Sequence, residues 1–450
     1  MEDAKKGENI ISISEEEVSN GKVAKERKKS KLSLFKKQPN DSKPTEEVTK
    51  KKSNKFPKSS DPIWTNPEIF MTHEEFLLNH GYQPEFHEVE TEDGYLLSVI
   101  RIRYGKGETA ENCKNGSQKR PVALFVSGIF MGAMPWLLNK DENVLAYQLA
   151  DKGFDCFLVN PRGTASSRKH VKLSASSKKF WAYSYNEMGQ FDIPAIINYV
   201  LKISGQDQLF YFGHSMGCVV LFVAASYHPE IASKIKLMIA YAPAVFISHA
   251  KTLVLTVAPK ILPMSLLAFL YHGEFYTKKN SIKLIKTISP LVWLRPKRSV
   301  RDASWFSRFG VDIVNGKDHD QIYWPMVPLI AANVPSSISV RTYDHFMQAY
   351  KSKEFQRFDF GRAKNMKKYG QPKPPKYGFE NATFPVAIFY GDNDYCVQPK
   401  DIERLAKELP NVVLVHRVDW PDFNHIDFIC AKDVDKLLNV HLMDVILKYL

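Results

Sequence analysis

The chain has 450 residues, 44% apolar and 12% aromatic, enough for one large core with insertions and too apolar for a wholly disordered protein. Its net charge of +13 invites nucleic-acid or anionic-membrane readings, but residues 1–60 hold 16 Lys/Arg against 10 Asp/Glu, so +6 of that charge sits in a short tail. The remaining +7 is modest for an enzyme, and no nucleic-acid motif or aromatic–basic repeat accompanies it, so nucleic-acid binding is not expected.

Residues 1–60 are rich in Lys, Glu and Ser and are expected to be disordered, because they carry too little apolar surface to offset ordering entropy. Within them Lys22 to Lys37 forms a basic cluster interleaved with Leu32, Leu34 and Phe35. It reads either as a solvated tail or as a weak anchor for an anionic membrane or lipid-droplet surface. No secretory signal is evident, and the apolar stretch from Leu237 to Tyr271 is interrupted by His249, Lys251, Lys260 and prolines. An intracellular, non-spanning protein is the expectation. The five cysteines, Cys113, Cys156, Cys218, Cys396 and Cys430, show no metal-ligand or disulfide spacing.

Ordered structure should begin near Asp61. Thr72 to Glu75 has capping-box spacing and opens a short helix that Gly81 ends. Glu85–Glu90 and Tyr95–Arg103, separated by Asp93-Gly94, predict a β-hairpin. Pro121–Ser127 is an apolar strand, Gly128–Asn139 a loop of small residues, and Glu142–Lys152 a helix. Phe154–Val159 is the next strand, followed by a polar loop ending at His170 and a helix over Asn186–Lys202. Then come a strand at Leu209–Phe212, a second helix from Cys218, and a strand at Ile235–Tyr241. This alternation predicts an α/β fold with a mostly parallel sheet covered on both faces.

At Ala244 the rhythm stops, and residues 244–383 are expected to be an inserted helical cap. It resumes with a strand at Phe384–Tyr390, a helix at Lys400–Leu409, a strand at Asn411–Val418 and a closing helix at Asp433–Leu447. The expected divisions are therefore a tail over 1–60, a first core part over 61–243, the cap over 244–383 and a second core part over 384–450.

Gly213-His-Ser-Met-Gly217 lies between an apolar strand and an apolar helix. That is the G-x-S-x-G turn, in which small residues let strand and helix pass closely and the serine is lifted above the sheet. Ser215 is the candidate nucleophile. A serine hydroxyl needs a base, and the base needs an orienter. In the chain order of α/β-hydrolases the acid follows a late strand and the histidine follows the last one. Asp394 and His425 occupy those positions, with Asp392 as a rival acid. Asp427 is too near the histidine in sequence, and His416 and His441 lie inside a strand and a helix. Backbone N–H donors for an oxyanion are expected at Met216, directly after the nucleophile, and at Ile129, after the first parallel strand. No metal or cofactor is required.

Four stretches carry a family resemblance: Thr91–Tyr95; Asn160–Gly163 continuing to Ser167–His170; Phe180–Met188 with Asp192 and Pro194 beyond; and Phe423–Phe428. From about Asp61 onward the chain resembles the acid lipases, meaning gastric lipase, lysosomal acid lipase and sterol-ester hydrolase relatives. The resemblance implies an α/β-hydrolase fold with a helical cap and lid, hydrolysis of triacylglycerols and sterol esters, a nucleophile at Ser215, an acid at Asp394, a base at His425 and oxyanion amides at Ile129 and Met216. The chain departs from the family in having Ser127-Gly128 where His-Gly is usual, Met216 where Gln is frequent, no cysteine in residues 244–383, and a basic tail in place of a signal peptide. Two other readings keep part of this picture: an esterase for short soluble esters, and a non-catalytic lipid-binding relative.

Overall fold

The computed structural model describes residues 67–112, 119–256, 272–275, 312 and 314–450. The basic cluster Lys22–Lys37 lies outside the described residues, as do residues 257–271 of the apolar stretch that begins at Leu237.

The first helix, α1 (His73–Asn79), starts as its sequence requires. The Thr72 hydroxyl accepts from Glu75 N at 3.2 Å, and Glu75 Oε2 accepts from Thr72 N at 2.8 Å. The hairpin β1 (Pro84–Glu90) and β2 (Tyr95–Ile102) follows, with Thr91 Oγ1 accepting from Tyr95 N to close the turn. The core then alternates β3 (Val122–Val126), α2 (Leu145–Asp151), β4 (Asp155–Val159), the two-residue β5 (Lys169–His170), α3 (Ile193–Ser204), β6 (Leu209–His214), α4 (Met216–Tyr227) and β7 (Ile235–Tyr241). Between β7 and the next core strand, the described residues form β8 (Glu274–Phe275), β9 (Ile338–Ser339), α5 (Val340–Ser352) and α6 (Arg362–Tyr369), with short turns of helix besides. The chain closes with β10 (Val386–Tyr390), α7 (Pro399–Glu408), β11 (Val412–Arg417) and α8 (Val440–Leu447).

The main sheet runs β1-β2-β4-β3-β6-β7-β10-β11, with β5 joined to β2. Pairing is antiparallel at the β1–β2, β2–β4 and β2–β5 contacts and parallel from β4 to β11. Every residue of β3, β4 and β6 is buried, which is why these strands read as unbroken apolar runs rather than as alternating ones. Alternate residues feed the two faces: Leu124, Leu209 and Tyr211 join one core, while Phe125, Phe210 and Phe212 join the other. Helix α4 is buried from Met216 to Ala225, so it is apolar on all sides.

Several boundaries differ from those read in the sequence. The expected helix over Glu142–Lys152 begins as a 3-10 turn at Asp141–Asn143 and becomes α-helical only at Leu145. The expected helix over Asn186–Lys202 opens as α-helix at Tyr185–Glu187, loosens into a π-helical turn at Met188–Asp192, and continues as α3. Gly189 lies in that turn, against Val223 of α4; a Cβ there would meet the valine side chain at 2.5 Å. The closing helix likewise carries a π-helical turn, at Asp435–Asn439. The segment expected to be a helical cap also holds strand structure, β8 paired antiparallel with β9.

The Phe180–Met188 phrase is where this segment seats on the core. Ser339 Oγ contacts the carbonyl oxygens of Trp181 and Tyr183 at 2.7 Å each. Arg168 makes a two-pronged ion pair with buried Glu274 of β8, at 2.5 and 2.7 Å. Beneath them buried Arg162 bonds both Asp93 and Asp192 and lies 3.9 Å from the centroid of the Tyr95 ring. Burial pushes the Asp192 carboxyl up to about 6 against the pull of Arg162. The asparagine-to-histidine loop is thus a charged clamp holding hairpin, loop and α3 together.

Candidate active site

Ser215 sits at the apex between β6 and α4 with φ 53° and ψ −113°, a backbone state rare for a residue with a side chain. Its surroundings hold it there: Ser215 N donates to Tyr241 O at 2.9 Å, and Ser215 O accepts from Cys218 N at 3.1 Å. The flanking glycines have a steric reason. A Cβ on Gly217 would lie 2.1 Å from Val126 O, and one on Gly213 would lie 3.0 Å from Cys218 N.

Asp394 follows β10 in the turn after Gly391, and His425 lies in the loop between β11 and the short helix Asp427–Cys430. His425 Nε2 is 2.9 Å from Ser215 Oγ, and His425 Nδ1 is 2.7 Å from Asp394 Oδ2. All three side chains are buried, at 4%, 0% and 5% exposure for Ser215, Asp394 and His425, so the hydrogen bonds form away from bulk water. The other carboxylate oxygen, Asp394 Oδ1, accepts from Cys396 N at 2.7 Å and Val397 N at 2.8 Å. Both carboxylate oxygens are therefore occupied by hydrogen bonds.

The rivals separate by position. Asp392 is exposed and pairs with Arg417 at 3.1 Å, away from the histidine ring. Asp427 accepts from Asn424 N at 2.8 Å. The rings of His416 and His441 meet each other at a tilt, 4.9 Å between centroids. Asp394, Cys396 and His425 offer three donor atoms within 4.8 Å of one another. Those of Asp394 and His425 are committed to each other, and the thiol is bonded to Val314 O, so the cluster is a hydrogen-bonded relay and not a metal seat.

The loop after β3 passes directly over Ser215. A Cβ on Gly128 would lie 3.0 Å from Ser215 Cβ, so the neighbouring Ile129 follows at the edge of the site, while Met216 is the first residue of α4. The loop is tied down by Ser127 Oγ donating to Gly132 O at 2.6 Å and by Asn160 Oδ1 accepting from Ala133 N at 3.0 Å. Ser127, which departs from the family pattern, thus braces the loop. Beyond it the Phe130 ring meets Phe275 and Tyr343, with centroids 5.4 and 6.5 Å away.

Two features of the site were not read from the sequence. His214 is buried beside Ser215 and His425, and its Nε2–H donates to the His425 carbonyl oxygen at 2.9 Å, which leaves Nδ1 as the bare nitrogen. Burial, and then the neighbouring His425, holds its pKa down to about 3, so it stays neutral. The second feature is residues 314–318. Asn315 O accepts from Tyr395 N at 3.1 Å and His425 N at 3.3 Å, and Gly316 O accepts from Asn424 Nδ2 at 3.1 Å. This segment straps the Asp394 loop to the His425 loop through its backbone carbonyls. The one residue signal is Gly316, whose φ of 107° and close approach to Asn393 O require glycine; it marks a turn but not the loop the turn meets.

The fold and the site define an α/β-hydrolase. The family model described as alpha/beta hydrolase fold matches residues 121–429, and one described as a partial alpha/beta-hydrolase lipase region matches residues 73–140. Lipase member M from Homo sapiens is 36% identical over 382 residues, covering 84% of this chain and 86% of that protein. Gastric triacylglycerol lipase from Homo sapiens is 34% identical over 369 residues, covering 82% and 89%. A solved structure, a soluble variant of monoglyceride lipase from Saccharomyces cerevisiae, matches at 18% identity with a TM-score of 0.45, covering 81% of this chain and 94% of that one. The chain belongs to the α/β-hydrolase fold family and, within it, to the acid lipase group of these relatives. It is a carboxylic ester hydrolase. Among the described residues no helix is long and apolar enough to cross a membrane.

Proposed function

We propose that the enzyme hydrolyses neutral lipid esters, triacylglycerol and sterol ester, through Ser215, His425 and Asp394 and an acyl-enzyme intermediate. The observation that carries the reading is the unbroken relay from Ser215 Oγ to His425 Nε2 at 2.9 Å and from His425 Nδ1 to Asp394 Oδ2 at 2.7 Å. His425 Nε2 takes the hydroxyl proton as Ser215 Oγ bonds to the ester carbonyl carbon. Asp394 keeps the proton on Nδ1 and balances the imidazolium that forms. The negative charge on the former carbonyl oxygen is met by the backbone N–H groups of Met216 and Ile129. Collapse of the tetrahedral species breaks the ester C–O bond, and the leaving alkoxide takes the proton from Nε2. Water, deprotonated by the same nitrogen, then attacks the acyl carbon and returns Ser215.

The substrate class follows from two supports. Relatives over most of the chain include a protein named gastric triacylglycerol lipase. The aromatic surface of Phe130, Phe275 and Tyr343 beside the Ile129 loop is the kind of wall a long acyl chain packs against. In this reading residues 61–243 and 384–450 form the catalytic core, residues 244–383 the cap, and residues 1–60 a tail. The Lys22–Lys37 cluster of that tail attaches an intracellular enzyme to an anionic membrane or lipid-droplet surface, each cation contributing about 1 kcal/mol.

The test is hydrolysis of an ester series, from short soluble esters to emulsified triolein and cholesteryl oleate, with Ser215→Ala as control. Turnover of the long-chain esters that disappears in Ser215→Ala supports the reading. Turnover confined to short esters replaces it with a carboxylesterase. No turnover from folded, lipid-binding protein overturns it.

A further inference from the structure

A polar cleft of about 340 Å³ opens between α6, the π-helical turn and the last residue of α4. Its walls include Asn186, Glu187, Tyr227, Arg357, Lys368 and Tyr369. Helix α4 has 12 residues and so runs about 18 Å, which sets Tyr227 at its end well away from Ser215 at its start. The neutral wall groups are engaged within the protein. Tyr227 and Tyr377 both donate to Asn186 Oδ1, at 2.8 and 2.6 Å, and Tyr369 donates to Phe358 O at 3.0 Å. Glu187 Oε2 accepts from Ser184 N at 2.7 Å and from Ser184 Oγ at 3.0 Å. Arg357 is different. Arg101, Arg162 and Arg168 each meet a carboxylate. The Arg357 guanidinium meets none among the described residues, and its Nε is buried without an acceptor.

We propose that this cleft binds a phosphate monoester, held by the Arg357 guanidinium and the Lys368 ammonium. Both cations are seated. Arg357 Cζ lies 4.6 Å from the centroid of the Tyr227 ring, and Arg357 N donates to Pro375 O at 2.8 Å. Lys368 Nζ lies 4.5 Å from the centroid of the Phe360 ring. Asn365, buried on α6, ties the helix to its flanks: it accepts from Phe360 N at 2.9 Å and donates to Asp359 Oδ1 at 2.7 Å and Pro372 O at 3.0 Å. The charge selects the ligand. Residues 357–376 hold seven Lys/Arg against one acid, Asp359. That acid already accepts from Gly361 N and Asn365 Nδ2. A single carboxylate offsets little of such a field. A phosphate monoester brings about 1.5 to 2 negative charges and three oxygens that match a guanidinium fork. The volume leaves room for a small substituent on the phosphate, of the size of glycerol. The phosphate can come from a lipid headgroup or from a soluble ester. Neither cation takes part in the chemistry at Ser215, so the site stands apart from the ester-hydrolase reading.

The experiment pairs two probes on the full chain: flotation with phosphatidylcholine vesicles with and without phosphatidic acid, and titration with glycerol 3-phosphate followed by unfolding temperature. The variants are Arg357→Gln, Lys368→Gln and Lys373→Gln. Lys373 is exposed on the same lobe but outside the cleft, so its substitution removes the same charge and leaves the walls intact. Every variant keeps residues 1–60, so the basic tail contributes equally throughout. Wild type is expected to bind at least one probe. Arg357→Gln and Lys368→Gln are each expected to weaken that binding about tenfold or more, and Lys373→Gln about twofold or less. A response to phosphatidic acid vesicles alone assigns the phosphate to a lipid headgroup, and a response to glycerol 3-phosphate assigns it to a soluble ester; both support the site. An equal loss in all three variants shows general charge attraction and overturns it, as does binding of neither probe. Should Arg357→Gln fail to fold, Lys368→Gln decides, because its side chain is exposed on α6: unchanged binding overturns the proposal. Ester hydrolysis is not the readout, so failure here leaves the Ser215 reading standing, and failure of that reading leaves this site standing.

Discussion

His214 donates its Nε2–H to the carbonyl oxygen of His425 across 2.9 Å, so the residue before Ser215 holds the backbone of His425. The distance between Ser215 and the imidazole is thereby set from within the β6 turn. Replacing His214 by Phe keeps the burial and removes the donor. The expected result is a fall in kcat of about tenfold to a hundredfold, the effect of leaving one buried carbonyl unpaired, with KM little changed. Steady-state kinetics beside a circular dichroism spectrum check it.

Asp394→Asn tests the orienting role. The substituted amide keeps its oxygen toward the Cys396 and Val397 N–H groups, which points its N–H at His425 Nδ1. That arrangement forces the proton onto Nε2, the wrong tautomer for a base. The expected loss in kcat is about 10⁴-fold, with an unfolding temperature close to wild type.

Gly217→Ala is expected to act on the fold before the chemistry. The added methyl meets the backbone oxygen of Val126 at 2.1 Å, and neither the strand nor the helix can move without breaking the elbow. Destabilisation of about 3 kcal/mol or more is expected, read from urea unfolding.

His345 gives a pH dependence with a definite sign. Burial against Tyr185 holds its pKa down to about 3, against 6.5 for the ordinary side chain. Between those values the unfolded chain binds a proton that the folded chain excludes. Stability therefore falls as pH drops below 6.5, by about 1.4 kcal/mol per unit from this residue, and levels off near pH 3. His345→Gln keeps partners for Ser184 Oγ and Gln356 O and removes the titration. The variant is expected to lose about 2 kcal/mol less than wild type between pH 7 and pH 5 in chemical denaturation.

What was legible in the sequence follows from which groups do the work. The Ser215 turn demands small neighbours, the Thr72–Glu75 cap demands particular side chains, and the acid and base must fall after late strands; each leaves a residue pattern. The π-helical turn at Met188–Asp192 was not legible, and the close approach of its Gly189 to Val223 joins two helices whose packing no local pattern records. The strap over the His425 loop works through the carbonyls of Asn315 and Gly316; position 316 needs glycine, at φ 107° with a Cβ 2.1 Å from Asn393 O, but nothing in the sequence says which loop its carbonyl meets. His214 was visible inside the motif, but its role depends on a bond to a residue 211 positions away.

The most direct test of the account is active-site labelling with an alkyl fluorophosphonate, which reacts with an activated serine, followed by peptide mapping and assay of triolein hydrolysis. One adduct per chain, on Ser215, with hydrolysis lost in proportion to labelling, is the predicted result. An adduct on another serine, or full hydrolysis by protein labelled at Ser215, would contradict it.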